Sequence, residues 1–194
     1  MATNKNYTVM FRRKRLKKTD YRARLRFLVS RKNRLVVRKS NFKIYLQIIN
    51  YDTKGDKVLL AINSGNLKKY GWGYKLNNLP ACYLTGLLLG TNAKKHKLNE
   101  VILDMGLNVS VKGSAFYAAL KGVVDSGLNI PYDNKILPSE DRVKGKHIHD
   151  YALLIKKQPE AYKKQFSAYL NKNINPEDII KNFEEVKQKI LQEK

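Results

Sequence analysis

The sequence predicts an α/β fold: a layered βββαβα core on a mixed sheet, with a basic N-terminal arm before it and a helical C-terminal extension after it. Three observations predict this. Charge is concentrated at the N-terminal end, three β-branched segments precede any long helical period, and two helical patterns then flank one further strand. They divide the 194 residues into 1–32, a basic arm and helix; 33–128, the α/β core; and 129–194, a loop and helical extension.

The arm comes first. The chain holds 39 Lys and Arg against 16 Asp and Glu, a formal net charge of +23. Residues 1–40 contain 15 of those bases and a single acid, Asp20, so +14 of the charge lies there. A free segment this positive repels itself, and a phosphate backbone both orders it and releases condensed counterions. Tyr7, Phe11, Leu16, Tyr21, Leu25, Phe27 and Leu28 interleave with the bases. Thr19 is the predicted cap of a helix starting at Asp20, in which Tyr21, Leu25 and Leu28 share the docking face and arginines occupy the rest.

Strands are predicted at 34–39, 42–50 and 57–63, an antiparallel meander punctuated by Ser40-Asn41 and by Lys54-Gly55-Asp56-Lys57. In the second, Ile44, Leu46 and Ile48 alternate with Tyr45, Gln47 and Ile49, which gives a core face and a mixed face. Arg38, Tyr45 and Gln47 on the mixed face suit RNA contact.

After the glycine-rich link 70–74, a helix is expected from near Asn78 to about Lys95, with Pro80 in its first turn and Leu84, Leu87 and Leu88 on its apolar side. The Gly86/Gly90 spacing lets it pack tightly against the sheet. A short strand at 101–103 follows, then a helix from Gly113-Ser114 to Gly127 carrying Phe116, Leu120, Val123 and Val124 at the 3.6 period. Residues 129–150 lack periodicity and read as a loop. Two tail helices start at Pro159 and Pro176, and the stripe Ile180, Phe183, Val186, Ile190 and Leu191 requires the core or a partner to cover it.

Several chemistries lack their residues. A single cysteine, Cys82, excludes an internal disulfide framework and a multi-cysteine zinc site, fits a reducing, cytoplasmic setting, and is expected to be a small buried apolar side chain. No run of about 18 apolar residues provides a membrane span, and no apolar stretch behind the N-terminal charges suggests secretion. The phosphate-binding loop GxxxxGK[ST] is missing, and Gly71-Trp72-Gly73 lacks the strand-to-helix context of a dinucleotide site; its glycines suit close backbone approach. Asp52, Asp56, Asp104 and Asp125 form no motif for a two-metal nuclease. His147-Ile148-His149-Asp150 is too thin a ligand set for a metal. No catalytic residue, metal, cofactor or small-molecule substrate is expected. The reading left by the residues is nucleic-acid binding.

Longer stretches carry a resemblance. They are Thr19 through Arg26, Val37-Arg38-Lys39-Ser40-Asn41, Ile44 through Ile49, Lys69-Tyr70-Gly71-Trp72 and Asn78 through Leu88. Leu103 through Leu107, Ala119 through Leu128 and Ile130-Pro131 continue the series. Together these resemble the large-subunit ribosomal protein that binds 5S ribosomal RNA, numbered eighteen in bacteria and archaea and five in eukaryotes. Tyr162 through Leu170 resembles its archaeal and eukaryotic branch.

The resemblance implies a ribonuclease-H-like, translational-machinery type of layered core without catalytic carboxylates. It also implies attachment of 5S rRNA to the large-subunit rRNA in the central protuberance. Implied partners are 5S rRNA, large-subunit rRNA, a neighbouring 5S-binding ribosomal protein and other large-subunit proteins. The RNA-contact positions are Arg12, Arg13, Arg15, Arg22, Arg24 and Arg26 in the arm, Arg31 and Arg34 after it, and Arg38, Ser40, Asn41, Tyr45 and Gln47 on the meander; Lys69, Tyr70, Gly71 and Trp72 form a second group. The competing readings are a basic DNA-compacting protein and a metal-dependent ribonuclease. Preference for duplex DNA over folded RNA, or turnover lost on changing Asp104, distinguishes them.

Overall fold

The computed structural model describes residues 8–193. The first seven residues of the arm, Tyr7 among them, lie outside the described residues. The arm continues as a short helix α1 (Arg12–Arg15) and a nine-residue helix α2 (Tyr21–Val29). Asp20 caps α2: its Oδ1 accepts the amides of Arg22 at 2.9 Å and Ala23 at 3.1 Å. The cap therefore lies one residue later than expected, because a carboxylate is the better acceptor and complements the positive helix end. The displaced Thr19 hydroxyl accepts Nε of Arg13 at 2.8 Å.

Strands β1 (Asn33–Lys39), β2 (Ile44–Asn50) and β3 (Lys57–Asn63) form the predicted meander. The second begins two residues later than its pattern suggested, because Ser40 closes a turn through Lys43: the Ser40 amide donates to the Lys43 carbonyl at 2.8 Å, and the Ser40 hydroxyl accepts the Lys43 amide at 3.0 Å. β4 (Val101–Asp104) pairs parallel with β1, which completes a mixed four-stranded sheet of order β3-β2-β1-β4.

Period-2 alternation sorts the sheet into two faces. Leu35, Val37, Ile44, Leu46, Ile48 and Ile62 enter the core. Arg34, Val36 and Arg38 point the other way, in register with Ile49, Gln47 and Tyr45. A bulge between Ile48 and Ile49 shifts the pairing with β3.

The core is centred on α3 (Leu79–Lys95), whose Asn78 cap accepts the Ala81 amide at 3.0 Å. One apolar side was expected, yet almost every residue from Pro80 to Gly90 is buried, because α3 is enclosed by the sheet, by α4 (Ala115–Asp125) and by the C-terminal helix. Gly86 corrects the sequence reading: it faces α4, not the sheet. A β-carbon there would fall onto the Ala119 carbonyl, and one at Gly122 of α4 onto the Tyr83 carbonyl. α4 ends, as expected, at Gly127, whose φ of +92° favours glycine.

Residues 129–150 are not a plain loop. They hold a 3₁₀ turn at Asn134–Ile136, α5 (Glu140–Lys144) and the start of α6 (Lys146–Ile155). A five-residue helix is too short to display a period, and Gly145, at φ +87°, breaks α5 from α6. α7 (Pro159–Leu170) starts on its proline as expected. Pro176 instead opens a 3₁₀ turn, Pro176–Asp178, ahead of α8 (Ile179–Gln192). The buried stripe of α8 is Ile179, Phe183, Val186 and Ile190, while Leu191 is half exposed. This stripe docks on the core: the rings of Tyr83 and Phe183 lie 5.6 Å apart, so the extension and the sheet share one hydrophobic cluster.

The α3–α4 contact is backbone against backbone, so neither side yields by changing a rotamer. Gly122→Ala is expected to cost about 1–3 kcal/mol, as overpacking does, read as a lowered urea midpoint. Ala at Gly55, where nothing lies within 4 Å of the added carbon, pays only for its positive φ and is the control.

Candidate nucleic-acid interface

The sheet face turned away from α3 is built around a buried cation. Arg34, in β1, is only 4% exposed. Its Nη1 donates to Asp104 Oδ2 at 3.1 Å and its Nη2 to Asp56 Oδ2 at 2.7 Å. Asp104 ends β4 and Asp56 precedes β3, so one guanidinium ties both sides of the sheet together. The network extends outward at both ends. Arg24 of α2 forks onto Asp56 at 2.9 and 3.0 Å, and Arg38 reaches Asp104 Oδ1 at 3.2 Å and its carbonyl at 2.9 Å.

Arg24 explains how α2 docks. Of the expected face, Tyr21 and Leu28 are half-buried, but Leu25 is 63% exposed. Ala23, Arg24 and Phe27 join Tyr21 in lining the groove under α2, with Val36 and Ile49 of the sheet. The bidentate ion pair rotates the helix by favouring Arg24 inward, a preference that apolar periodicity does not register. The groove encloses about 550 Å³ and is bordered by Arg13, Lys18 and Arg38 as well.

The predicted RNA-contact residues fall into three states. Arg12, Arg13, Arg15, Arg22, Arg26 and Arg31 are exposed, and among the described residues none of them is in an ion pair. Arg38, Ser40, Asn41 and Tyr45 are exposed around the β1–β2 turn, with Gln47 half-buried one register step in. Arg24 and Arg34 are committed to carboxylates, and so is Arg38, which is bound to Asp104 while still partly exposed. Arg34 is corrected from a surface contact to a buried structural cation.

The second group is spent largely on the fold. Trp72 is 2% exposed and donates Nε1–H to the Lys75 carbonyl at 3.2 Å, which corrects its assignment as a surface contact. The Gly71 carbonyl accepts Asn182 Nδ2 at 3.2 Å, and its φ of +94° ends the 3₁₀ helix Ser64–Tyr70. The Tyr70 hydroxyl is bound to Glu193, and burial together with that carboxylate pushes its pKa up to about 12. Lys69 and Gly71 of this group are exposed, and of the two only Lys69 offers a side chain.

The four acids weighed as nuclease ligands are each held by a partner within the fold, two of them by the same arginine. Asp52 pairs with Lys57, Asp125 accepts the Tyr83 hydroxyl at 2.7 Å, and Asp56 and Asp104 converge on arginine. Among the described residues no group of three or more His, Cys, Asp or Glu is placed to hold a metal. Cys82 is fully buried, and desolvation raises its thiol pKa to about 12, which fits an inert packing residue. His149 Nδ1 lies 2.7 Å from the Glu177 carbonyl, a tie between α6 and the turn before α8. Sequence reasoning missed the roles of Asp56 and Asp104. The excess of neighbouring arginines was the available signal, but it does not say which arginine is inside.

Comparison with known proteins gives the geometry its context. The family model described as "Ribosomal large subunit proteins 60S L5, and 50S L18" matches residues 5–101 and 90–133. The chain is also 49% identical, over 191 residues, to "Large ribosomal subunit protein uL18" of Methanococcus maripaludis, covering 98% of this chain and 99% of the relative.

Two outcomes test the network. Arg34→Ala leaves Asp104 buried with Arg38 as its remaining partner, so the loss is expected at the low end for a broken buried pair, about 3 kcal/mol in denaturant unfolding. The Arg24 fork, followed by Arg34, holds the Asp56 carboxyl below its ordinary value of 3.8. That stabilisation is full above the unfolded pKa and disappears as pH falls through the depressed one. Wild type should therefore lose stability below about pH 4, and Asp56→Asn, weaker at neutral pH, should lack that share of the acid loss.

Proposed function

The chain belongs to the family of ribosomal large-subunit proteins 60S L5 and 50S L18 and is a structural constituent of the large ribosomal subunit; on that premise we propose that it binds 5S rRNA and helps attach it to the large-subunit rRNA in the central protuberance. The observation that carries this reading is the set of exposed, unpaired arginines on α1, α2 and the link to β1, beside the open end of the sheet's outer face. The ion-pair network holds α2 against the sheet, so helix and strands offer one surface.

Residues 1–32 act as the gripping arm. Residues 33–128 form the layered, ribonuclease-H-like platform, and 129–194 the extension that braces α3 from behind. Arg12, Arg13, Arg15, Arg22, Arg26 and Arg31 neutralise phosphates, while Arg38, Ser40, Asn41, Tyr45 and Gln47 meet the RNA at the β1–β2 turn. An A-form major groove is too deep and narrow for side chains, so recognition rests on backbone shape and on unpaired bases. Lys69 adds a further phosphate contact. A neighbouring 5S-binding ribosomal protein and other large-subunit proteins complete the partner set. A DNA-compacting role would use the same charge, and competition by duplex DNA against folded 5S rRNA separates the two.

With roughly 6 to 10 phosphates neutralised, affinity for 5S rRNA is expected to fall on the order of a thousandfold or more between about 50 and 200 mM salt. Each of Arg22→Ala and Arg26→Ala should flatten the logarithmic slope by about one. A flat titration of wild type overturns the reading.

A further inference from the structure

Phe42 has no work in the fold. It is 81% exposed, more than any other large apolar side chain among the described residues. Solitary apolar side chains on a surface are ordinary, but the backbone beneath this one is unusually constrained. It sits in the turn between β1 and β2, the two central strands of the sheet. The Ser40 amide donates to the Lys43 carbonyl, and the Ser40 hydroxyl accepts the amides of both Phe42, at 3.3 Å, and Lys43, at 3.0 Å. From outside the turn, Asn77 Nδ2 donates to the Asn41 carbonyl. A hairpin tied at this many points holds its tip residue outward at little further entropic cost on binding.

The chemistry around the ring selects its occupant. Along the chain the turn runs from Lys39 to Lys43, and the register pair just inside it is Arg38, held by Asp104, with Tyr45, itself 45% exposed. A bare aromatic ring at the tip of a turn that carries two lysines, Lys39 and Lys43, does not suit an apolar protein pocket, which would have to desolvate those charges. It suits a nucleobase, whose face is a π-surface and whose flanking phosphates take the cations.

We propose that Phe42 is a stacking platform for one unpaired base of the bound RNA, held at the tip of the Ser40-locked turn. The inference rests on the RNA-binding reading above and adds to it a contact that is insensitive to salt. Because every base presents such a face, the platform selects an unstacked nucleotide rather than a sequence.

The test is a salt series of binding titrations of the full chain with 5S rRNA, using wild type, Phe42→Ala, Phe42→Leu and Phe42→Trp. The side chain is exposed, so the variants should keep the wild-type urea midpoint. Phe42→Ala is expected to weaken binding by about tenfold to a hundredfold with the logarithmic salt slope unchanged, and Phe42→Trp to restore it. If Phe42→Leu binds like wild type, or Phe42→Ala loses nothing, stacking is overturned. Loss accompanied by a flatter salt slope overturns it in favour of an altered phosphate contact. A loss seen only on incorporation into large subunits, with 5S rRNA affinity intact, overturns it in favour of a protein neighbour. Failure of wild type itself to bind 5S rRNA would sink the functional reading first, so the two failures are distinct.

Discussion

A guanidinium placed between strands must be neutralised where it stands, and Arg34 meets that demand by drawing two carboxylates from distant parts of the chain. Asp104 and Asp56 are 70 and 22 residues away along the chain. Because each acid also holds a second arginine, satisfying one buried charge fixes four segments: β1, the end of β4, the turn before β3, and α2. Such a chain of alternating charges is costly to break at its centre, since Asp104 would be left buried with less than its full complement. At its rim it is cheaper, because Arg24 and Arg38 remain partly in water.

That arrangement divides the arginines by task. The inner one holds the sheet, the two intermediate ones join the sheet to α2 and to the β4 turn, and those of α1 and the outer side of α2 are left without acids. The positive charge that remains on the outer face is therefore not diffuse. It lies along the arm and around the Ser40 turn, on either side of a groove whose floor is Val36 and Ile49. The helices on the opposite face do a different job. α3 is held to α4 at glycines and to α8 through Phe183, so the platform is rigid where the partner does not touch it.

Much of this was legible in the residues. The strands are read from β-branched alternation, α3 from Asn78 and Pro80, and the end of α4 from Gly127, because each signal is local and each has one physical cause. The errors have causes too. α5 was hidden because a five-residue helix shows no period, and α6 because Gly145 just ahead of it looks like a loop residue. The stripe of α8 was read correctly at Phe183, Val186 and Ile190; at its start Ile179 and Ile180 are chemically equal, and only the packing of the helix makes Ile179 the more buried. Trp72 was placed among the RNA-contact positions by the resemblance alone, whereas its flanking glycines were read as allowing close backbone approach; in the fold the indole is in the core.

By itself the sequence determined the α/β order, the mixed sheet and the concentration of positive charge toward the N-terminal end, since hydrophobic period, turn chemistry and charge density act over a few residues at a time. Only the tertiary structure decided which arginines are spent internally, which face of α2 docks, that the Gly86 contact belongs to α4, and that Phe42 stands alone at a locked turn. Those outcomes depend on pairs of groups tens of residues apart. An ion pair or a backbone contact has no period along the chain for a sequence to display.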